Sequence, residues 1–361
     1  MSLLKLSFLL LLLLVLICCL GHSVNYQPCP YKVEPETREV RVFTCDTRKG
    51  WREFLALRVW NVTGLALRDE GLQMINVCSG KNWGQYGFLT KPLTYLEHLK
   101  QLPKKSQSGG DMYAVLMDSD TFWSATSIKK LWNKFDCGRG NKEVLLSTEM
   151  ACWVGRFCTA EDIARWYSNI ASTPSYSPFA NSGVIMGKVP NLIKMLEHVV
   201  VNNQSYYITY MKNKFDDQYA IADYAIKVAP DEVELDYHQQ FSAGFTLHAE
   251  GDEKDDGWPF RCKTRNHNIS MSCPDWTKLL TKLGHYIVDP KTCLAQRKYW
   301  DAMPMKEEVD SLAQDPIIWH GNGAGKRVAM DISHHSFICY LKSLYNISSV
   351  EEYSEIWGYG R

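Results

Sequence analysis

The chain has 361 residues, of which 40 are basic and 40 acidic, so its formal net charge is zero, and 45% of its residues are hydrophobic. This composition excludes extensive disorder, and a neutral chain has no overall electrostatic attraction for nucleic acid or for an anionic membrane. Near the N-terminus, Lys5 precedes an apolar run from Phe8 to Leu20, which is too short to span a bilayer as a helix. The small residues Gly21 and Ser23 follow, and the pattern predicts a cleaved signal peptide over residues 1–23, with a short signal anchor as the alternative.

A signal peptide places the chain in the secretory pathway, that is, in the ER or Golgi lumen, secreted or at the cell surface. After cleavage, the sequence predicts no transmembrane segment. Ten cysteines then remain, and an even number in this setting suggests disulfides. Cys262 and Cys273 are candidates for a local bridge, while the other pairings stay open. Four sequons predict surface glycans, at Asn61, Asn203, Asn268 and Asn346.

Apolar and β-branched segments predict strands at residues 40–45, 73–77, 112–117, 144–148, 184–186, 233–236 and 317–319. Helical spacing of apolar residues predicts helices at residues 51–65, 93–102, 127–135, 160–171, 189–201 and 217–227. Strands and helices that alternate in this way indicate an α/β fold with a mostly parallel central sheet flanked by helices. Ligands of such sheets bind at the carboxyl ends of the strands, so functional residues are expected just after the apolar segments.

Two acidic residues follow the most apolar of these strands. Residues 112–117 form a continuous apolar segment, which is typical of a strand buried on both faces, and Asp118-Ser119-Asp120 comes directly after it. In an extended segment, residues i and i+2 point the same way, so both carboxylates can face one divalent cation. Alone, such a motif is more often a turn or a solvated loop, and the buried strand before it makes the metal-binding interpretation about equally good.

A glycine-rich segment follows the last predicted strand and reads His320-Gly-Asn-Gly-Ala-Gly-Lys326. Its glycines let the backbone approach a ligand closely, its histidine can ligate a metal, and its lysine can meet a diphosphate. The spacing does not fit a P-loop, and Arg327 stands where that motif needs Ser or Thr. A glycine-rich surface turn is the alternative, but the framing histidine and lysine favour a binding site.

Further polar residues lie near the ends of other predicted strands. Glu149 follows one strand, with Cys152 and Trp153 close behind, and Asn181-Ser-Gly183 precedes another, where it could bond sugar hydroxyls. Asp216 and Asp217 open a predicted helix, where acidic residues are also favoured simply by the helix dipole.

Five segments in this order resemble the glycosyltransferase domain of procollagen lysyl hydroxylases and related GT-A transferases: Asp-Ser-Asp, Ser-Thr-Glu-Met-Ala-Cys-Trp, Asn-Ser-Gly, Asp-Asp-Gln and His-Gly-Asn-Gly-x-x-Lys. The likeness runs from about residue 40 to residue 326. It implies a GT-A (Rossmann-like) glycosyltransferase domain over residues 24–330, with residues 331–361 as a C-terminal extension packed on it. The whole chain also resembles the expression-site-associated glycoproteins of African trypanosomes.

The resemblance to the transferases implies a role for each matching residue. Asp118, Asp120 and His320 would hold Mn²⁺ or another divalent cation, and Thr44 would lie near the uracil and ribose of a UDP-sugar. The same likeness assigns the catalytic and acceptor side to Asp216, Asp217, Glu149 and Trp153. It assigns contacts with the bound nucleotide-sugar to Ser119, Gly321, Asn322, Gly323 and Lys326, with Asn322 near the acceptor side.

One position departs from the family's pattern. The family's second metal-binding acid usually lies one residue further along, where this chain has Thr121, so Asp120 would have to replace it. The hydroxylase half has no counterpart, so hydroxylation of lysine is not expected.

The sequence therefore predicts a secretory-pathway glycosyltransferase that uses a UDP-sugar and a divalent metal, similar to procollagen lysine galactosyl- and glucosyltransferases. Its acceptor would be an unidentified glycan or protein, and no nucleic acid is expected to bind. The alternative is a catalytically inactive secreted or surface glycoprotein associated with variant surface antigen expression sites.

Overall fold

The structure is a computed structural model, and it describes residues 38–47, 72, 74–82, 87–103, 105–106, 108–123, 128–149, 164, 166, 168, 177–208, 214–245 and 317–321. All of these residues belong to one compact unit. The predicted signal peptide and the predicted C-terminal extension, residues 331–361, lie outside the described residues. No helix in the described part of the chain is both long enough and apolar enough to span a bilayer.

The described strands are β1 (Glu39–Cys45), β2 (Met74–Asn76), β3 (Met112–Asp118), β4 (Thr121–Trp123), β5 (Val144–Glu149), β6 (Phe179–Lys188), β7 (Tyr207–Ile208), β8 (Lys214–Phe215), β9 (Val233–Leu235), β10 (Ser242–Phe245) and β11 (Ile318–Gly321). The described helices are α1 (Thr90–Leu99), α2 (Ile128–Arg139), α3 (Val189–Val201) and α4 (Asp217–Asp223). Helix α4 continues into a π-helical turn (Tyr224–Val228), and short 3-10 turns lie at Gly87–Leu89 and Asn203–Tyr206.

A nine-stranded sheet forms the centre, in the order β2-β1-β3-β6-β5-β10-β11-β4, with β9 beside β5. The parallel pairs are β1 with β2 and β3, β5 with β9 and β10, and β10 with β11. Strand β6 runs antiparallel to β3 and β5, and β4 runs antiparallel to β11. Seven of these nine described strands therefore point the same way, which confirms the predicted α/β fold with a mostly parallel sheet flanked by helices.

The hydrophobic core lies on both faces of the sheet. Side chains alternate along each strand, so in β3 Ala114 and Leu116 face one side while Tyr113 and Val115 face the other. Helices α1, α3 and α4 cover the first face, and α2 covers the second. Burial on both sides explains why β3 reads as a continuous apolar segment rather than as an alternating one.

Strand β6 corrects one sequence-based expectation. Residues 184–186 were expected to form a short strand with Asn181-Ser-Gly183 before it, but the strand runs for 10 residues, Phe179–Lys188, and contains all of them. Asn181 and Ser182 are buried, and their polar side chains hide the strand pattern in the sequence. Because β6 is antiparallel, its first half lies at the carboxyl edge of the parallel strands beside it.

The far end of the sheet returns to the carboxyl end of β3. Only Ser119 and Asp120 separate β3 from β4, yet the two strands are far apart in the strand order. The strands β10, β11 and β4 must therefore curl back towards β3. In the ladder between β4 and β11, Thr121 lies opposite His320, which brings His320 beside the Asp-Ser-Asp turn.

A disulfide fastens the carboxyl end of β1. It joins Cys45, the last residue of β1, to Cys78, which follows β2, and both cysteines are buried. The predicted bridge between Cys262 and Cys273 lies outside the described residues. Of the four predicted glycosylation sites, only Asn203 is described, and it begins a 3-10 turn, where its Nδ2 donates a hydrogen bond to the carbonyl of Val200 at 2.6 Å.

A buried ion pair anchors the start of β1 to helix α2. Arg38 donates two hydrogen bonds of 2.9 Å to Asp136, and its guanidinium lies 4.2 Å from the ring centroid of Trp132. We expect Asp136→Ala to lower the free energy of unfolding by about 3 kcal/mol, because it leaves a largely buried guanidinium without its carboxylate. Urea unfolding measures this loss.

The matched control is Lys81→Ala, which removes the exposed pair between Lys81 and Glu97. This change should alter the free energy of unfolding by less than about 1 kcal/mol. Equal losses in Asp136→Ala and Lys81→Ala would contradict the anchoring role of Asp136.

Candidate active site

Three potential metal ligands meet at the carboxyl edge of the sheet. The side chains of Asp118, Asp120 and His320 each offer one ligand atom, and these atoms all lie within 4.8 Å of one another. His320 Nε2 is 3.5 Å from Asp118 Oδ2 and 3.7 Å from Asp120 Oδ1. These distances exceed those of direct hydrogen bonds and leave the ligand atoms grouped around a common point. We call these three residues the acid–histidine triad.

The triad is largely buried and carries opposite charges. Asp120 and His320 are each only 3% exposed, whereas Asp118 is partly exposed. Burial opposes the charged imidazolium, but Asp118 and Asp120 outweigh that effect and raise the pKa of His320 to about 9. The two carboxylates therefore favour a positive charge at this point, either the proton on His320 or a metal ion that displaces it.

Gly183 makes room for the imidazole of His320. A Cβ atom built on Gly183 would overlap the His320 ring. This is the one position in β6 where the lack of a side chain is required by the triad, and it explains the glycine of the Asn-Ser-Gly motif. The nearby amide of Asn181 fixes the backbone there, because its Oδ1 accepts a hydrogen bond of 2.7 Å from the Gly183 amide.

Thr121 closes the turn instead of supplying a carboxylate. Its Oγ1 donates a hydrogen bond of 2.7 Å to the carbonyl of Asp118, and its backbone pairs with His320 in the ladder between β4 and β11. Asp120, one residue earlier, lies within reach of the imidazole instead. The departure from the family's pattern is thus accommodated within the turn.

A lysine that the sequence did not single out lies next to the triad. Lys91, in the first turn of α1, is buried, and its Nζ is 2.7 Å from Asp118 Oδ1 and 2.5 Å from Asp217 Oδ2. Nζ also lies 3.3 Å from Ser182 Oγ. Burial disfavours the ammonium, but Asp118 and then Asp217 outweigh it and raise the pKa of Lys91 above its ordinary value.

The two predicted acids of helix α4 have different partners. Asp216 caps the helix, since its Oδ1 accepts a hydrogen bond of 2.8 Å from the backbone amide of Tyr219. Asp217 instead binds Lys91 and accepts a hydrogen bond of 3.1 Å from Ser182. Burial, followed by the charge of Asp217, raises the pKa of Asp216 to about 6.

A chain of amide and carboxylate groups extends from α4 to the end of β5. Gln218 donates a hydrogen bond to Glu149, and Asn181 Nδ2 donates one of 3.3 Å to Gln218 Oε1. Ser147 in turn donates a hydrogen bond of 2.8 Å to the carbonyl of Asn181. Glu149 and the α4 acids, which were predicted separately, thus belong to one connected polar edge.

The remaining predicted site residues are only partly described. Thr44 lies at the carboxyl end of β1, fully buried, and Ser119 occupies the turn between the two triad carboxylates. Gly321 ends β11, directly after His320. The described residues exclude the other four, Trp153, Asn322, Gly323 and Lys326. The binding and catalytic roles assigned to these seven residues stay predictions.

Asp236 lies at the same edge but has a structural role. Strands β9 and β10 both pair with β5, and Asp236 follows β9 at the interruption between them. Its carboxylate accepts backbone hydrogen bonds from Gln240 at 3.0 Å, Phe241 at 2.9 Å and Ser242 at 2.8 Å. Burial outweighs these bonds and raises the pKa of Asp236 to about 6.

This raised pKa predicts a pH dependence of stability. Between about pH 4 and pH 6 the folded protein keeps a proton on Asp236 that the unfolded chain releases, so stability falls as pH rises through that window. The full effect is about 3 kcal/mol for a shift of this size. Asp236→Asn should reduce this slope in urea unfolding measured across the window.

The control for this prediction is Asp111→Asn. Lys105 lowers the pKa of Asp111, so its titration lies below the window and has the opposite sign. An unchanged slope between about pH 4 and pH 6 in Asp236→Asn would contradict the prediction.

The chain is similar to solved structures of glycosyltransferases. No protein-family model and no curated protein matches the chain. One similar solved structure is a glycosyltransferase involved in the glycosylation of the major capsid of PBCV-1, at 9% identity and a TM-score of 0.40. The match covers 82% of this chain and 98% of that one.

A second similar structure is that of mouse xyloside xylosyltransferase 1 in its apo form, at 11% identity and a TM-score of 0.39. This match covers 79% of this chain and 98% of that one.

Proposed function

We propose that the protein is a metal-dependent glycosyltransferase that takes a UDP-sugar as donor. The observation that carries the proposal is the acid–histidine triad at the carboxyl edge of a mostly parallel α/β sheet, with the acids of helix α4 beside it. Ligands of such sheets bind at this edge. The sequence motifs and the geometry of the described residues support the same site.

The triad fits a divalent cation in both chemistry and spacing. Two carboxylates and one imidazole form a mixed oxygen and nitrogen donor set, which suits Mn²⁺. Asp118 and Asp120 bring two carboxylates to one largely buried point, and a bound cation would offset their charge. A bound cation would supply positive charge to the diphosphate that leaves when the bond to the anomeric carbon breaks.

The acids of helix α4 are the candidates for contact with the sugars. Asp216, whose pKa is raised to about 6, is suited to exchange a proton with an acceptor hydroxyl near neutral pH. Asp217 is oriented by Lys91 and Ser182 and faces the triad through Lys91. Glu149 and Gln218 extend this polar edge, where they would bond sugar hydroxyls.

The acceptor and the compartment remain sequence-based proposals. A glycan or protein hydroxyl is the expected acceptor, and the N-terminal pattern supports a place in the secretory pathway. The likeness to trypanosome expression-site-associated glycoproteins stays a prediction.

The test is isothermal titration of UDP into the glycosylated protein, with and without Mn²⁺. We expect binding only with Mn²⁺, and we expect Asp118→Ala/Asp120→Ala to abolish it. The control is Asp111→Asn, which changes an acid at the opposite end of β3. A screen for hydrolysis of UDP-sugars then identifies the donor.

Each outcome of the titration has a distinct meaning. Mn²⁺-dependent binding that the double variant loses and Asp111→Asn keeps would support the nucleotide-sugar site. If UDP binds neither the Mn²⁺-loaded nor the metal-free protein, the proposal is overturned. The protein would then be a glycoprotein that does not transfer sugars.

A further inference from the structure

Lys91 lies in a group of acidic side chains. Four carboxylates lie close together at this edge of the sheet, and all but Asp118 are less than 10% exposed; they belong to Asp118, Asp120, Asp216 and Asp217. Among the described residues that contact them are one lysine, Lys91, and one histidine, His320. Buried carboxylates without compensating charge destabilise a fold strongly.

Lys91 and His320 contact different parts of this acidic group. His320 contacts Asp118 and Asp120, whereas Lys91 contacts Asp118 and Asp217. Asp118 is therefore shared: its Oδ1 is 2.7 Å from Lys91 Nζ, and its Oδ2 is 3.5 Å from His320 Nε2. Lys91 thus fixes which oxygen of Asp118 faces the triad.

We propose that Lys91 is a positioning residue, the resident counter-cation that keeps the acidic group assembled without metal and links Asp118 of the triad to Asp217 of helix α4. Its ammonium holds one oxygen from each of these two acids, and Ser182 supports both partners, since its Oγ also donates to Asp217. The charge compensation rests on the described contacts alone, whereas the link to metal binding rests on the proposed function.

Placement on helix α1 makes Lys91 a rigid support. The side chain projects from the first turn, and one turn later Tyr95 donates a hydrogen bond of 2.7 Å to the carbonyl of Met117, next to Asp118. Helix α1 is therefore fastened to the end of β3 at two successive turns. The Lys91 side chain is therefore already ordered before a ligand binds, so binding does not carry the entropy cost of ordering it.

The first experiment compares thermal stability in EDTA. Lys91→Met keeps most of the unbranched side chain and removes its charge, so we expect its Tm to fall by about 10 °C. The control is Lys100→Met at the end of the same helix, which removes an exposed pair with Glu197 and should shift Tm by less than about 2 °C. A fall in Lys91→Met no larger than in the control would overturn the proposal.

A second variant separates charge from packing. Lys91→Met/Asp217→Asn removes one cation and one carboxylate together, so it should recover part of the Tm that Lys91→Met loses. Lys91→Arg should also retain part of it, because it keeps the charge. If Lys91 merely fills space, the double variant will be no more stable than Lys91→Met, and that result would overturn the proposal. The double variant also decides the matter if Lys91→Met alone fails to fold.

The last experiment adds Mn²⁺ to the same proteins. The increase in Tm caused by Mn²⁺ should be larger in Lys91→Met than in wild type, because the metal then replaces the missing counter-charge. An increase that is no larger would overturn the link between Lys91 and the metal site. Failure of wild type to bind Mn²⁺ would instead contradict the proposed metal-dependent function, and the EDTA comparison would still test Lys91.

Discussion

Asp120→Asn should lower the affinity of the protein for Mn²⁺ about a hundredfold while leaving the metal-free protein at least as stable as wild type. Asp120 is 3% exposed and belongs to the acidic group at the carboxyl edge of the sheet, which also includes Asp118, Asp216 and Asp217. Asparagine keeps its shape and removes one negative charge. The metal loses a charged ligand, whereas the metal-free fold loses a source of repulsion.

Isothermal titration of MnCl₂ gives the affinity, and urea unfolding in EDTA gives the stability. Asp111→Asn is the matched control, because it makes the same chemical change on a more exposed acid at the other end of β3. It should leave the affinity for Mn²⁺ unchanged. If Asp120→Asn lowers the free energy of unfolding in EDTA by several kcal/mol, the Asp120 carboxylate stabilises the metal-free fold. That result would contradict its role as a metal ligand.

Gly183→Ala should abolish the triad by displacing His320 from it. A single methyl group at this position overlaps the imidazole, which cannot retreat freely because His320 belongs to β11 and its backbone pairs with β4 and β10. We expect a loss of about 2 kcal/mol in the free energy of unfolding, as is typical of an overpacked core. Affinity for Mn²⁺ should fall at least tenfold, because a shifted imidazole no longer meets both carboxylates.

Two further variants separate these effects. Gly187→Ala lies on the same strand, where a Cβ would be 2.9 Å from Val144 Cγ2, so it should lower stability and leave Mn²⁺ binding intact. Gly183→Ala/His320→Ala should be as stable as His320→Ala alone, because the added methyl group no longer meets an imidazole, and it should not recover metal binding. If Gly183→Ala binds Mn²⁺ as tightly as wild type does, His320 is not a ligand in the position described.

The parts of the site that directly follow apolar strands could be predicted from the sequence. The apolar segment before Asp118 marks a strand buried on both faces, and the segment before His320 marks another. Parallel strands end at one edge of the sheet, so both segments were expected there, whereas the grouping of Asp118, Asp120 and His320 was implied by the resemblance to the transferases. In the structure, the ligand atoms of these three residues lie within 4.8 Å of one another. The helix at residues 189–201 was also predicted with its observed bounds.

Site residues that do not directly follow an apolar strand could not be predicted from the sequence. Lys91 lies within a helix, where a lysine is ordinarily a solvated residue, and only tertiary packing brings it to Asp118. The polar start of β6 and the short strand β10 lack the apolar pattern that marks a strand, because their neighbours rather than their own sequences determine them. The antiparallel direction of β6 likewise has no local signal, although it decides where Gly183 lies.

The ladder between β4 and β11 has a consequence for biosynthesis. The triad joins two segments about 200 residues apart in the chain, and His320 reaches Asp118 and Asp120 only when β11 has paired. At typical rates of translation, about 10 to 40 s pass between the synthesis of the two segments. Throughout this interval the ribosome-bound chain already contains Lys91, Asp118 and Asp120 but lacks the histidine. A chaperone that meets the chain early therefore encounters an incomplete acidic site, and under the proposed function a metal would find its full ligand set only after β11 has paired.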